Sequence, residues 1–172
     1  MFPFILYYIQ NNNFFVKVPY KFVVKYIYFL KTHTKTLYKE LIDLSIIDSI
    51  DKKFRFEIFY NLLSITYNQR ITVTTSILEN ISVESVTSIY PSANWYEREA
   101  WDMFGVFFFK HPDLRRMLTD YGFKGHPLRK DFPMTGYVEL KFDGFTKRIS
   151  YESVSLAQEY RVFDLENTWA LN

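Results

Sequence analysis

The sequence contains no cysteine, and this absence excludes several kinds of chemistry at once. A chain without thiols forms no disulfide, offers no thiol nucleophile and cannot ligate zinc or an iron–sulfur cluster through sulfur. Any redox cofactor would therefore have to be held by other groups.

Long apolar runs and a large net charge are missing as well. No stretch approaches the roughly 20 apolar residues of a membrane-spanning helix, so we predict no direct membrane span. The 21 basic and 19 acidic residues leave a formal charge of +2, without the basic excess typical of nucleic-acid-binding proteins. The N-terminal segment lacks the basic start and the cleavage site of a signal peptide. We predict instead that Phe2–Ile9 forms a buried strand.

Aromatic residues are abundant, with 18 phenylalanines and 14 tyrosines. Both residue types, like the plentiful isoleucine, asparagine and lysine, have AT-rich codons. The composition therefore indicates an AT-rich genome, such as that of an organelle, before it indicates an aromatic binding site.

The first 104 residues contain no glycine, and their patterns predict regular secondary structure. Pro19 opens a predicted helix over 20–30, and a second short helix is predicted over 35–42. Alternating apolar residues and β-branched runs predict strands over 44–50, 54–63, 70–78 and 82–90, the middle two forming an antiparallel hairpin. The predicted fold class is α+β, with helices packed on a small, largely antiparallel sheet.

A last helix is predicted up to the glycine at position 105, with Asn94 or Ser92 as its N-terminal cap. Asn94 and Glu97 fit a capping box, and Gly105 fits a left-handed C-terminal cap. Beyond it the periodicity ends, and only 137–143 and 147–154 read as a possible strand pair. We predict an α+β domain over 1–105 and an extended, irregular C-terminal arm over 106–172. A long irregular segment usually has a function or a binding partner.

The charged residues of this arm admit two interpretations. In the first, arginine forks pair with carboxylates, which fixes the loop or shapes it for another protein. The candidate pairs join Arg115, Arg116 and Arg129 to Asp113, Asp120 and Asp131. In the second, the chain is a stand-alone metal-dependent hydrolase with zinc, iron or manganese as its metal. Its ligands would be His111, Asp113, Asp120 and His126. A third idea, that His111 or His126 senses protons, has no support in the residue pattern.

Three runs of residues carry a resemblance to a known family. They are YEREAWDMFGV, HPDLRRMLTDYGFKGHPLRKDFP and GYVELKFD. Long runs of charged and turn residues agree in order and spacing with the 30-kDa subunit of respiratory complex I, and the likeness extends roughly from Pro19 to Trp169. Residues 1–15 do not match.

The resemblance implies a non-catalytic structural subunit in the quinone module of the peripheral arm of NADH:ubiquinone oxidoreductase. Its partners would be other peripheral-arm subunits, especially the 49-kDa quinone-site subunit. FMN, iron–sulfur clusters and ubiquinone would belong to neighbouring subunits, with no cofactor in this chain. Its location would be the matrix side of the mitochondrial inner membrane, with the chain encoded in the mitochondrion.

The same resemblance implies no catalytic or metal-binding residues. It marks a set of residues expected to form the partner interface: Glu97, Arg98, Asp102, His111, Pro112, Asp113, Arg115, Arg116, Asp120, Tyr121, Gly122, Gly125, His126, Arg129, Lys130 and Asp131.

Overall fold

A computed structural model describes residues 6–10 and 13–163 of the chain. It contains nine strands and two α-helices within those residues, the first helix preceded by a 3-10 turn at Tyr20–Phe22. In chain order the elements are β1 (Leu6–Gln10), β2 (Asn13–Lys17), α1 (Val23–Thr32), β3 (Glu40–Asp48), β4 (Phe56–Ser64), β5 (Gln69–Ile77), β6 (Val83–Glu84), α2 (Ala93–Phe104), β7 (Phe108–Phe109), β8 (Val138–Asp143) and β9 (Arg148–Ser153).

A five-stranded sheet in the order β1-β2-β5-β4-β3 forms the framework. Only its β2–β5 pair is parallel, so the predicted α+β class with a largely antiparallel sheet is confirmed. The predicted hairpin is β4–β5, in which Ile58 lies opposite Thr75. Every second residue of β4, from Phe56 to Ser64, is buried, because successive side chains of a strand point to opposite faces.

The two helices contribute apolar faces to the same core. On α1 the buried residues are Val23, Ile27 and Leu30, the i, i+4, i+7 spacing of one helix face. The helix α2 ends at Gly105, whose φ of 75° and N–H donated to the Trp101 carbonyl form the predicted left-handed cap. Neither helix has the length and apolar character for crossing a bilayer, as judged over the described part of the chain.

Two predicted elements are wrong or shorter than predicted. The helix over 35–42 is absent, because the chain turns at Leu37, which has a φ of 47°, and then enters β3. Over 82–90 only Val83–Glu84 is a strand, paired with β7, and the chain then turns with the N–H of Tyr90 bonded to the Val86 carbonyl. In both cases the tertiary partner outweighs local propensity.

The N-terminal strand exists but is not buried. Residues 2–5 of the predicted strand lie outside the described part of the chain, and β1 is an edge strand of the sheet. Its side chains from Leu6 to Ile9 are 43–84% exposed. An apolar pattern predicts burial only when another layer covers it, and β1 has one neighbouring strand.

The chain divides into two compact units, one up to Phe132 and one from Pro133. The second unit contains the hairpin of β8 and β9, which matches the predicted strand pair. Contacts thus group residues 106–132 with the first unit, whereas the sequence places its division after residue 105. That division, as a statement about folding domains, stays a prediction.

Limited trypsin digestion of the full chain should cut the second unit first. Its sites at Lys141, Lys147 and Arg148 lie in a two-stranded hairpin, and such a hairpin is marginally stable alone. Mass spectrometry should show an early fragment that extends beyond Phe132. Early cleavage at Arg129 or Lys130 would contradict the grouping of 106–132 with the first unit.

Candidate functional site

Two carboxyl groups of helix α2 point into the protein interior. The side chains of Glu97 and Asp102 are both fully buried. A buried carboxyl needs donors around it, because an unsatisfied one costs several kcal/mol. Each of the two finds its donors in a segment that has little regular structure of its own.

Asp102 fixes the segment that begins at Arg116. One carboxylate oxygen accepts the N–H groups of Met117, Leu118 and Thr119 at 3.2, 2.7 and 2.9 Å. The other accepts the Thr119 hydroxyl at 2.8 Å and lies 3.3 Å from the Arg116 Nε. Burial raises the pKa of Asp102, but the donors from Thr119, Leu118 and Met117 outweigh it and hold the pKa below its usual value.

The Arg116 side chain holds the next part of the segment, up to residue 126. Its guanidinium donates to the carbonyls of Phe123 and Gly125 and lies 3.2 Å from the His126 Nδ1. His126 in turn lies 3.0 Å from the Asp102 carbonyl and packs edge-on against Trp101 at 5.6 Å. Burial lowers the pKa of His126, which favours a neutral ring beside two arginines.

A third buried carboxyl group, that of Asp48 at the end of β3, holds the other end of the segment. It accepts Nε and Nη2 of Arg55 at 2.9 and 3.1 Å and the Lys130 N–H at 2.9 Å. Arg55 also bonds Asp131 at 3.0 Å and Glu79 at 3.1 Å. Burial raises the pKa of Asp48, but the bond from Arg55 and the Lys130 N–H leave it lowered.

Arg129 closes this cluster against α2. Its Nε donates to the Phe104 carbonyl at 2.6 Å and its Nη1 to Glu79 at 2.6 Å. The guanidinium also lies 5.3 Å from the Phe56 ring. A Cβ on Gly105 would lie 2.6 Å from side-chain atoms of Arg129 and His126, so this glycine is required by close approach as well as by its φ.

Comparison with known proteins shows the family of this chain. A family model described as "Respiratory-chain NADH dehydrogenase, 30 Kd subunit" matches residues 16–138. The chain belongs to this family.

Curated relatives of the family match most of the chain. It is 52% identical over 160 residues to NADH-ubiquinone oxidoreductase subunit 9 of Prototheca wickerhamii, covering 93% of this chain and 83% of the relative. The same identity and coverage hold for NADH dehydrogenase [ubiquinone] iron-sulfur protein 3 of Oryza sativa subsp. japonica.

Solved structures share the fold. A trypsin-resistant fragment (1-134) of Nqo5 aligns with a TM-score of 0.56 and 26% identity, covering 64% of this chain and 89% of the fragment. A chain of the membrane-bound sulfane sulfur reductase, an archaeal respiratory membrane complex, aligns with a TM-score of 0.67. At 24% identity, over 77% of this chain and 79% of that one, the second likeness concerns the fold alone.

Of the three arginines predicted to pair with Asp113, Asp120 or Asp131, only Arg115 does so. Arg115 does pair with Asp113, at 2.8 Å on the surface. Arg116 and Arg129 instead use Asp102, Glu79 and carbonyl groups, while Asp120 accepts the N–H of its own neighbour Tyr121. The residues that sequence reasoning missed are Asp48, Arg55 and Glu79, which lie far from the motif in sequence and carry no local signal.

The four proposed metal ligands do not converge. His111 accepts the Asp113 N–H and lies near the Asn94 carbonyl, whereas His126 lies beside Asp102 and Arg116. Over residues 6–10 and 13–163, no group of three or more histidine, cysteine or carboxylate side chains is placed to hold a metal ion. The hydrolase interpretation is therefore not favoured.

Glu97 has a role that the capping-box prediction missed. The N-cap is Ser92, one of the two predicted caps, although it makes no side-chain cap bond. The predicted capping box of Asn94 and Glu97 is wrong. The Glu97 carboxyl instead accepts the Ser85 hydroxyl at 2.6 Å and the Val86 N–H at 2.7 Å. Burial raises the pKa of Glu97 to about 7, although both bonds act to lower it.

The exposed members of the predicted interface set lie on the outside of the same segment. Pro112, Asp113, Arg115, Asp120, Tyr121, Gly122, Gly125, Lys130 and Asp131 are exposed, and Tyr121 reaches 98% exposure. Arg98 is half-buried and donates to the Arg115 carbonyl at 3.2 Å. The buried members of the set thus fix the segment, and the exposed ones form its surface.

Replacing Asp102 by asparagine should destabilise the chain strongly. The substitution removes the charge that accepts three N–H groups, and we expect the free energy of unfolding to fall by about 3 kcal/mol near neutral pH. Because the folded pKa is lowered, the stabilisation by Asp102 should be lost as pH falls through that pKa. Urea denaturation at several pH values measures the free energy of unfolding and its dependence on pH. Asp120→Asn, on an exposed residue, is the control and should change stability by under about 0.5 kcal/mol; equal effects would contradict the anchoring role.

Glu97 should give stability the opposite pH dependence. Its folded pKa of about 7 lies above the usual glutamate value of 4.5, so the folded state binds the proton more tightly. Stability should therefore fall as pH rises from about 4.5 to about 7, by up to about 3 kcal/mol. Glu97→Gln should remove this slope in denaturation curves recorded at several pH values, and a slope unchanged by the substitution would contradict the assignment.

Proposed function

We propose that this chain is a structural subunit of the peripheral arm of complex I, the respiratory NADH:ubiquinone oxidoreductase. Family membership supports its place in the enzyme. The observation that supports a non-catalytic role is the use of the charged signature residues. Asp102, Arg116 and Arg129 bond to other groups of the chain and fix an irregular segment, which supports a structural role for them.

The second unit supports a docking role. In its hairpin Val138, Leu140 and Phe142 alternate with Glu139, Lys141 and Asp143 along β8, and Phe142 pairs with Ile149 and Leu140 with Tyr151. Because strand side chains alternate between faces, one face is apolar and the other is polar. The apolar residues of that face are 55–70% exposed, and an exposed apolar face of this kind marks a protein–protein contact.

We assign this apolar face to the quinone module, with the 49-kDa quinone-site subunit as its partner. The exposed signature residues around Tyr121 form the second proposed contact surface, since tyrosine and arginine are enriched at interfaces. FMN, iron–sulfur clusters and ubiquinone are then held by neighbouring subunits. The proposed location is the matrix face of the mitochondrial inner membrane, with a mitochondrially encoded chain.

The docking role can be tested by substituting lysine on the apolar face and on the polar face of β8. Leu140→Lys places a charge on the apolar face, where burying it against a partner is costly, and should reduce the amount of assembled complex about tenfold or more. Glu139→Lys, on the polar face, is the control and should leave assembly unchanged. Native gel electrophoresis measures the complex, and NADH:ubiquinone reductase activity measures turnover.

Two results would overturn the proposal in different ways. Normal assembly with Leu140→Lys would remove the docking surface. Normal assembly with lower turnover per complex after Arg115→Glu, a substitution at an exposed residue, would contradict the non-catalytic role.

A further inference from the structure

The charged residues of this chain are unevenly distributed along the sequence. Residues 1–39 contain six of the 21 basic residues, all of them lysines, and none of the 19 acidic residues. In the fold, residues 20–39 form the 3-10 turn, α1 and the turn that leads to β3. This part of the chain therefore carries positive charge and has no carboxylate side chain of its own.

Two of the six lysines are bonded to other groups of the chain. Lys17 lies 3.5 Å from Glu57. Lys31 donates to the Ile89 carbonyl, and its Nζ lies 4.7 Å from the centre of the Tyr90 ring. Among residues 6–10 and 13–163, no carboxylate pairs with the other four lysines, which are Lys21, Lys25, Lys35 and Lys39.

The outer side of α1 presents lysines together with aromatic rings. Lys21, Lys25, Tyr28 and Phe29 follow one another at i, i+4, i+7 and i+8. At 3.6 residues per turn, this spacing places them on the side of the helix opposite its buried residues. The side chain of Tyr28 is 60% exposed and that of Phe29 is 38% exposed, so apolar area lies between the charges.

The turn after α1 extends this surface. The ring of His33 contacts that of Phe29, with 4.8 Å between the ring centres. The His33 Nδ1 accepts the Lys35 N–H at 3.3 Å, which fixes the turn, and Lys35 is exposed. We define the α1 face as Lys21, Lys25, Tyr28, Phe29 and Lys35.

We propose that the α1 face binds a carboxylate-rich segment of another subunit. Lys21 and Lys25 are i, i+4 neighbours of like charge, an arrangement that destabilises a helix and that nearby carboxylates would relieve. Complementary charge steers two proteins together and fixes how they dock, while Tyr28 and Phe29 supply the aromatic area that is enriched at interfaces. The inference rests on the proposed function, in which this chain is surrounded by other subunits of complex I.

An anionic lipid surface is the competing partner for a basic helix. A helix that lies on a bilayer buries its apolar face there, but the apolar face of α1 is already packed in the protein core. Lipid recognition by charge alone uses clusters of about four to eight basic residues, and the α1 face contains three lysines. The structure therefore favours a protein partner.

The test uses the assembled complex and a carbodiimide, a reagent that joins an amine directly to a carboxylate in contact with it. We expect lysines of the α1 face to be linked to aspartate or glutamate of another subunit, as identified by mass spectrometry of the digested complex. Lys110 and Glu84 form an exposed ion pair at 2.6 Å. They provide the internal control, because their link forms within this chain.

Charge reversal at two exposed lysines gives the matched comparison. Lys25→Glu places a like charge against the carboxylates of the partner, and should lower the yield of the intersubunit links of Lys21 and Lys35 about tenfold or more. Lys52→Glu is the control. Lys52 is also exposed but lies in the turn between β3 and β4, so this substitution should leave those links unchanged.

The inference is overturned if the Lys110–Glu84 link forms while no lysine of the α1 face is linked to another subunit. It is also overturned if Lys25→Glu and Lys52→Glu have equal effects on the links. In either case, binding of the full chain to vesicles of phosphatidylcholine and phosphatidylserine that Lys25→Glu abolishes would identify a lipid surface as the partner. A chain absent from the complex on native gels would instead contradict the proposed function, and this inference with it.

Discussion

The rest of the signature segment depends on the hydrogen bonds that the Asp102 carboxylate accepts. Irregular backbone must find hydrogen-bond acceptors away from regular secondary structure, and one oxygen of Asp102 accepts three consecutive N–H groups. Because α2 holds Asp102 rigidly, it also positions Arg116, which bonds two further carbonyls. The path of residues 116–126 follows from one side chain and the arginine beside it.

A second carboxylate, Asp48, gives the segment its other fixed end. It joins Arg55 and the Lys130 N–H, so a residue of the sheet and a residue 82 positions later share one buried charge. These long-range bonds make the path of the loop depend on the sheet. Many signature residues thus form bonds within the chain. They shape the exposed surface of the segment, although a partner protein binding there would not contact them.

The two parts of the chain differ in how they satisfy their apolar residues. In the first unit alternate residues of β4 are buried between strands and helices. In the second unit the apolar face of the β8–β9 hairpin is exposed, although the pattern of alternation is equally regular. The same two-residue period therefore describes a core in one place and a proposed docking face in the other.

The amino-acid pattern alone predicts α1, the β4–β5 hairpin and the cap at Gly105, because each depends on residues close together in the chain. It also determined the family, since the motif residues keep their order and spacing. Tertiary contacts were needed to find that the strand predicted over 44–50 already begins at Glu40, that Glu97 turns inward to Ser85 and that Arg55 bonds Asp131. The last two bonds join residues 12 and 76 positions apart, and no local pattern encodes which distant donor meets a buried carboxylate.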